Sequence, residues 1–231
     1  MRRTTLLAND RGDIEVSLTP KAEIVYVVDD DSRVREALSD LLTSFEIEVI
    51  SFASARDYLE HARSEAIACL ILDLELPDIN GLDLQSQLAR ERGPPIIFIS
   101  GHGSIPSTVR AMKAGAIEFL TKPVDNEALL AAIRTGFAQD RIMHAKVAEI
   151  ATLQGQLAQL TPREREVLPL VISGMRNKQA AAILGITEVT VQVHRGQIMR
   201  KMGAKSFADL VRMGGVLGIG LSTKAASDRP R

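Results

Sequence analysis

Three carboxylates stand side by side at Asp29, Asp30 and Asp31, directly after the apolar run IVYVV (24–28). Asp73 lies 43 residues beyond Asp30, at the end of the run IACLIL, and Lys122 lies 49 residues beyond Asp73. Ser100 ends a further run, PPIIFIS. Carboxylates brought together without a cation raise one another's proton affinity, so gathering them is costly. A hard divalent ion such as Mg²⁺ takes an oxygen shell of this kind and commonly keeps part of its water. It also neutralises charge when a phosphoryl group arrives. The acidic run therefore reads as half of a metal site, with phosphoryl transfer as the chemistry it would serve.

That reading requires elements that bring the distant groups together. Short apolar runs at 24–28, 47–52, 67–72, 94–100 and 117–121 alternate with VREALSDLLTS, ARDYLEHAR, GLDLQSQLARE and STVRAMKAG, each carrying apolar residues at helical spacing. Five runs at even intervals predict βαβ units: a doubly wound α/β fold with a parallel five-stranded sheet and helices on both faces. In such sheets ligands bind outside the carboxyl ends of the strands, where Asp29, Asp30, Asp73, Ser100 and Lys122 all fall. Spacing leaves the strand order open.

From Asp125 to Leu160 there is no proline, and Val147, Ile150, Leu153, Leu157 and Leu160 recur at helical steps. This predicts one long helix whose stripe faces either a second copy or its own domain, with Gly136 and Gly155 as candidate breaks. Thr161, Pro162 and Glu164 then form a capping box, opening a set of short helices that ends in a frayed tail over 221–231. Residues 1–22 have no sustained periodicity and read as a flexible arm.

Composition supports two soluble domains. The chain has 231 residues, 45% hydrophobic and 25% charged, with no Trp and only 3% aromatic residues, so its cores rest on Leu, Ile, Val and Ala. Net charge is −1, yet residues 23–125 carry 9 Lys or Arg against 18 Asp or Glu, while 157–213 carry 9 against 4. The basic half suggests an anionic partner such as nucleic acid. The single cysteine, Cys69, sits in an apolar run and reads as a core residue, which fits a reducing cytoplasm. No apolar stretch reaches the roughly 18 residues a membrane helix needs, and no signal-peptide block is evident at the start.

The segments DD (29–30), LILDLELPDINGLDL, ISGHG and FLTKP, in that order and spacing, resemble the receiver domain of bacterial two-component response regulators. The resemblance spans about 23–138 and implies a flavodoxin-like fold. Asp73 would be the phosphate-accepting nucleophile. Asp30 and Asp73 would be direct Mg²⁺ ligands with the backbone carbonyl of Glu75, and Asp29 would assist through water. Ser100 and Lys122 would bind the phosphoryl group, and Phe119 would be the aromatic that changes rotamer on switching. Pro123 would hold a cis bond that aims Lys122. Asp31 falls outside the acidic pair and is expected to face solvent or begin a helix. GHG (101–103) reads as a hinge, and neither His102 nor His144 has clustered ligands.

Residues 161–213, with LTPREREVL, GMRNK, TVQVH and KM, resemble a LuxR-type helix-turn-helix. Asn177–Leu184 would be the positioning helix and Glu188–Met202 the recognition helix, which enters the major groove. By resemblance Gln192, Val193 and Gly196 face bases. Glutamine can pair with adenine and valine can touch a thymine methyl. Lys178, Thr190, Arg195, Arg200 and Lys201 read as phosphate contacts, and His194 as packing or a phosphate contact.

Together the halves resemble the FixJ-type branch of response regulators. The implied organisation is an arm (1–22), a receiver domain (23–138), a helical linker (139–160), a DNA-binding domain (161–220) and a tail. The implied partners are a sensor histidine kinase, double-stranded promoter DNA, RNA polymerase and, on phosphorylation, a second copy of the chain; no membrane is implied. The expected protein is a cytoplasmic transcription factor, more an activator than a repressor, and not an enzyme. An aspartate-based phosphohydrolase is the rival, but Asp73-Leu74-Glu75 only loosely imitates its paired acids and no substrate cap is evident. An RNA-binding output is the other rival, opposed by the helix-turn-helix pattern.

Overall fold

Residues 22–62, 64–101 and 103–220 are described by a computed structural model. The expected arm, apart from Ala22, and the expected tail lie outside these residues, as does His102. The described chain divides into two compact units between Ile142 and Met143.

In the first unit, β1 (Glu23–Val28), β2 (Glu48–Phe52), β3 (Ile67–Asp73), β4 (Ile96–Ser100) and β5 (Glu118–Thr121) form one parallel sheet. Its order is β2-β1-β3-β4-β5. Between the strands lie α1 (Ser32–Ser44), α2 (Ala55–Glu60), α3 (Gly81–Arg90) and α4 (Ile105–Lys113). The apolar runs are continuous because both faces of each central strand are covered. Tyr26, Leu70 and Phe98 pack on the face of α2, α3 and α4, while Val25, Val27, Ile71 and Ile97 pack toward α1 and the helix that follows β5.

The second strand-to-helix unit departs from expectation in one place. α2 stops at Glu60, inside the pattern ARDYLEHAR, because His61 adopts extended backbone. Its ring lies 5.2 Å from Phe52 and 5.9 Å from Tyr26, and that packing replaces a further helical turn.

After β5 a single helix, α5, runs from Asn126 to Ala158. Its 33 residues make it about 50 Å long at 1.5 Å per residue. Neither glycine breaks it. Gly136 marks a close approach instead: a Cβ there would lie 2.6 Å from the Cys69 sulfur on β3. Burial pushes the Cys69 thiol up to about 12, so it behaves as an inert core group. Asp140, also on α5, accepts from the Ala68 N–H at 2.8 Å, at the edge of β3 that β4 begins too late to pair.

The second unit contains the end of α5 with α6 (Pro162–Ile172), α7 (Asn177–Leu184), α8 (Glu188–Lys201) and α9 (Phe207–Val216). The capping box forms: Thr161 Oγ1 accepts from the Glu164 N–H and the Glu164 carboxylate accepts from the Thr161 N–H. Leu153, Leu157 and Leu160 pack into the core of this unit with Val167, Leu168 and Val191. Of the stripe's two readings, its second half takes the intramolecular one, since these leucines are enclosed by their own domain.

Candidate functional site

Strand order explains the convergence. β1 and β3 are neighbours at the point where connections run off in opposite directions, which is where ligands bind in doubly wound sheets. Asp29 directly follows β1, Asp73 closes β3, Ser100 closes β4 and Lys122 directly follows β5, so four adjacent strands deliver their last polar groups to one rim.

At that rim the Lys122 ammonium donates to Asp29 Oδ2 at 2.6 Å and to Asp73 Oδ2 at 2.7 Å. The other Asp73 oxygen accepts from the Glu75 N–H at 3.1 Å, and the other Asp29 oxygen from the Asp31 N–H at 2.9 Å. Asp29, Asp73 and Ser100 are buried, Asp30 is exposed and Lys122 is half-buried. Burial lifts the Asp29 carboxyl above its usual range; Lys122 opposes that rise and the Asp73 charge adds to it. For Lys122, burial pulls downward but the two carboxylates outweigh it, so the ammonium is held charged. The Lys122–Pro123 peptide bond is cis.

One oxygen from each of Asp29, Asp30 and Asp73 lies within 4.8 Å of the others. A raised carboxyl at Asp29 and a hard oxygen donor set fit a divalent cation, which would relieve the repulsion that Lys122 alone leaves. Asp31 stands apart from this set. It is the N-cap of α1, accepts from the Arg33 N–H and pairs with the Arg33 guanidinium in solvent.

Away from the rim, the half-buried Phe119 ring on β5 stacks on Phe98 at 6.0 Å. A Cβ on Gly103 would lie 2.6 Å from that ring, so the segment leading to α4 can rest on Phe119 only because residue 103 has no side chain. α4 itself presents Ile105, Val109 and Met112 to solvent at 81%, 44% and 40% exposure, a stripe one helical turn apart.

Two residues at this end were not singled out by the sequence. Arg35 donates to the backbone carbonyls of Asp29 and Asp30. Asp78, in the loop after β3, accepts from the N–H groups of Ala55 (3.3 Å) and Arg56 (2.9 Å), capping the start of α2 from another loop. Burial pushes the Asp78 carboxyl up, but those amides outweigh it and hold the group below the usual carboxylate range. An acid lowered by folding contributes stability above its unfolded pKa and loses it as pH falls through the folded value. Asp78→Ala is therefore expected to cost about 1 kcal/mol at neutral pH. In urea unfolding, the gap from the native chain should close below about pH 4; a gap that persists unchanged at low pH would exclude the cap as its source.

In the second unit, α7 and α8 form a helix-turn-helix joined through Gly185, whose φ of 65° suits a residue without Cβ. Thr187 caps α8, sharing a 2.8 Å hydroxyl contact with Thr190. The exposed face of α8 carries Val189, Gln192, Val193, Gly196 and Arg200, and Lys178 is exposed on α7. Val189 and Val193 stand 69% and 56% exposed, apolar groups that contribute nothing to the core. Val189, which is not among the base-facing positions that the resemblance implies, shares this face at a spacing of 3 and 4 with Gln192 and Val193.

Two of the expected phosphate contacts reach side chains on neighbouring helices. Lys201 donates to Glu164 at 2.7 Å, and Glu164 is buried. Arg195 donates to Asn177 at 3.0 Å and lies 5.2 Å over the Phe207 ring. Both brace α8 against its neighbours rather than project freely. Arg200 remains exposed, 2.6 Å from Gln197, and His194 is half-buried.

Comparison with known proteins agrees with this division. Residues 25–134 match the response regulator receiver domain, and residues 158–214 match the bacterial regulatory proteins of the luxR family. Nodulation protein W of Bradyrhizobium diazoefficiens is 47% identical over 197 residues, covering 85% of this chain and 87% of that protein. Response regulator protein TodT of Pseudomonas putida is 45% identical over 198 residues, covering 85% and 87%. The solved structure of response regulator StyR superposes with a TM-score of 0.72 at 47% identity, covering 84% of this chain and 98% of that one.

Proposed function

This chain belongs to the two-component response regulators that join a receiver domain to a LuxR-type DNA-binding domain, and we propose that phosphorylation of Asp73 by a sensor histidine kinase switches its dimerisation and its reading of promoter DNA. As a family member it is a transcription regulator rather than an enzyme. The observation that carries the proposal is the Lys122 ammonium bridging Asp29 and Asp73 across the ends of three strands.

Asp73 is the acceptor. Its carboxylate is buried at the rim, and both its oxygens are oriented by donors, the Glu75 amide and Lys122. A carboxylate oxygen attacks phosphorus as the bond to the kinase's histidine nitrogen breaks, leaving an acyl phosphate on Asp73. Asp29, Asp30, Asp73 and the Glu75 carbonyl would hold Mg²⁺, which supplies charge neutralisation for the incoming phosphoryl oxygens. Lys122, already 2.7 Å from Asp73, then pairs with a phosphoryl oxygen, and the Ser100 hydroxyl donates to another.

Movement of Ser100 toward that group draws on the segment running through Gly103 into α4, and Phe119 is the ring on which this segment rests. The apolar stripe of Ile105, Val109 and Met112 beside β5 suits an interface with a second copy. A two-fold dimer presents two recognition helices to a two-fold site. There Gln192, Val193, Gly196 and the added Val189 read base edges, while Lys178, Thr190 and Arg200 fix the register on phosphates. Recruitment of RNA polymerase, and activation as the outcome, follow the FixJ-type resemblance. A cytoplasmic setting suits a DNA reader among whose described residues no helix is long and apolar enough to cross a membrane.

The test is selection of bound DNA fragments from a genomic pool, with and without a small phosphodonor and Mg²⁺. A defined two-fold sequence enriched more strongly in the phosphorylated sample is expected. Random recovery in both samples would reject specific DNA reading, and equal enrichment would reject the switch.

A further inference from the structure

β1 ends at Val28; the Asp29 N–H still donates to the Phe52 carbonyl of β2 at 3.2 Å, while the carbonyls of Asp29 and Asp30 are taken by a side chain. One guanidinium nitrogen of Arg35, in the first turn of α1, donates to both, at 2.7 Å to Asp29 and 2.9 Å to Asp30. The Arg35 amide donates to the Asp31 carbonyl at 3.1 Å, so three successive carbonyls are tied to one residue. The Asp29 side chain is held a second way, by the Asp31 N–H and Lys122. Asp30 is different: its carboxylate is on the exposed side of the cluster, and its aim depends on the backbone beneath it.

We propose that Arg35 is a positioning residue for divalent-cation binding, clamping the carbonyls of Asp29 and Asp30 so that both carboxylates point at the ion. This rests on the metal reading above. Two effects of Arg35 oppose each other, and their signs differ. As a cation near three acids it repels a divalent ion, so by charge alone its removal would tighten Mg²⁺ binding. As a clamp it keeps the ligands in register, so its removal would weaken binding. Groups that orient metal ligands typically matter by about 10- to 100-fold in affinity. A guanidinium donating to two backbone carbonyls makes charge-assisted hydrogen bonds, whereas its repulsion acts on an ion at a partly solvated rim, so the clamp prevails.

The experiment is Mg²⁺ titration of the full chain by calorimetry, alongside the rate of labelling by a small phosphodonor as Mg²⁺ is raised. Arg35→Ala is expected to weaken Mg²⁺ binding about tenfold and to raise the half-saturating Mg²⁺ for labelling equally, with the plateau rate unchanged. Arg35→Lys, which keeps one cationic donor, should fall between, and it carries the test if the alanine variant does not fold. Melting of both variants in excess chelator should remain a single cooperative transition above the assay temperature, so that the loss of aim is read on a folded chain. Equal or tighter Mg²⁺ binding by the variants would overturn the clamp while leaving the metal site standing. So would a lowered plateau at unchanged half-saturation. A native chain that binds no Mg²⁺ would overturn the metal reading and this inference together.

Discussion

Asp73→Ala is expected to abolish acid-labile phosphate incorporation from a small phosphodonor and Mg²⁺, a loss of at least about a hundredfold, while the chain stays folded. The two halves of this expectation have separate grounds. Asp73 closes β3 at the centre of the rim, with Asp29 after β1 on one side and Ser100 and Lys122 on the other, so a phosphoryl group carried there meets all three. Asp29 lies to one side of that position, after β1, and Asp30 is exposed. The fold survives because the deletion leaves no unpaired buried charge: Lys122 keeps Asp29 at 2.6 Å. Removing the Asp73 charge also relieves one of the influences that raise the Asp29 carboxyl. Labelling at the native level would end the assignment; loss of label with a collapsed melting transition would transfer the test to Asp73→Asn, which keeps the shape.

Val193→Glu is expected to eliminate specific DNA binding, by at least about a hundredfold, because a carboxylate brought into the major groove would meet like charge at a cost of several kcal/mol. Val193 stands 56% exposed on α8, so the new charge remains hydrated in the free protein and stability should hardly change. Val193→Ala separates base reading from general attraction. It should weaken the preferred sequence by about 1–3 kcal/mol with an unchanged salt slope, as lost contact with a base edge requires. Arg200→Ala should instead weaken all sequences alike and reduce the salt slope by about 1. Fluorescence anisotropy over a range of salt concentrations reads both. Native affinity in the glutamate variant would mean that this face of α8 does not enter the groove.

Much of this protein is legible in its sequence because the information is local. The runs IVYVV, IACLIL and IIFI are apolar throughout, the pattern of parallel strands covered on both faces. Thr161-Pro162-Arg163-Glu164 spells a capping box within four residues. The kinds of chemistry are also local: carboxylates after strands, a lysine before proline, a glycine at the helix turn. Where the structure departs from this reading, the deciding contact is distant in sequence. Lys201 looks like a surface cation until Glu164, 37 positions away, claims it. Arg195 reads as a phosphate contact until Asn177 and the Phe207 ring are placed beside it. The stripe Leu153, Leu157 and Leu160 is the same pattern whether it meets a second chain or α6 and α8.

By itself, then, the sequence determined the elements, their order, and which residue types could bind a metal, accept a phosphoryl group or read a base. Tertiary structure alone decided which charges meet: that strand order 2-1-3-4-5 brings Lys122 to both Asp29 and Asp73, and that Arg35 takes the carbonyls behind the acidic pair. The reason is the range of the forces. Periodicity and capping act within a few residues, whereas a long cation chooses among every acid and carbonyl the packed backbone leaves within its reach, and only folding puts those groups in place.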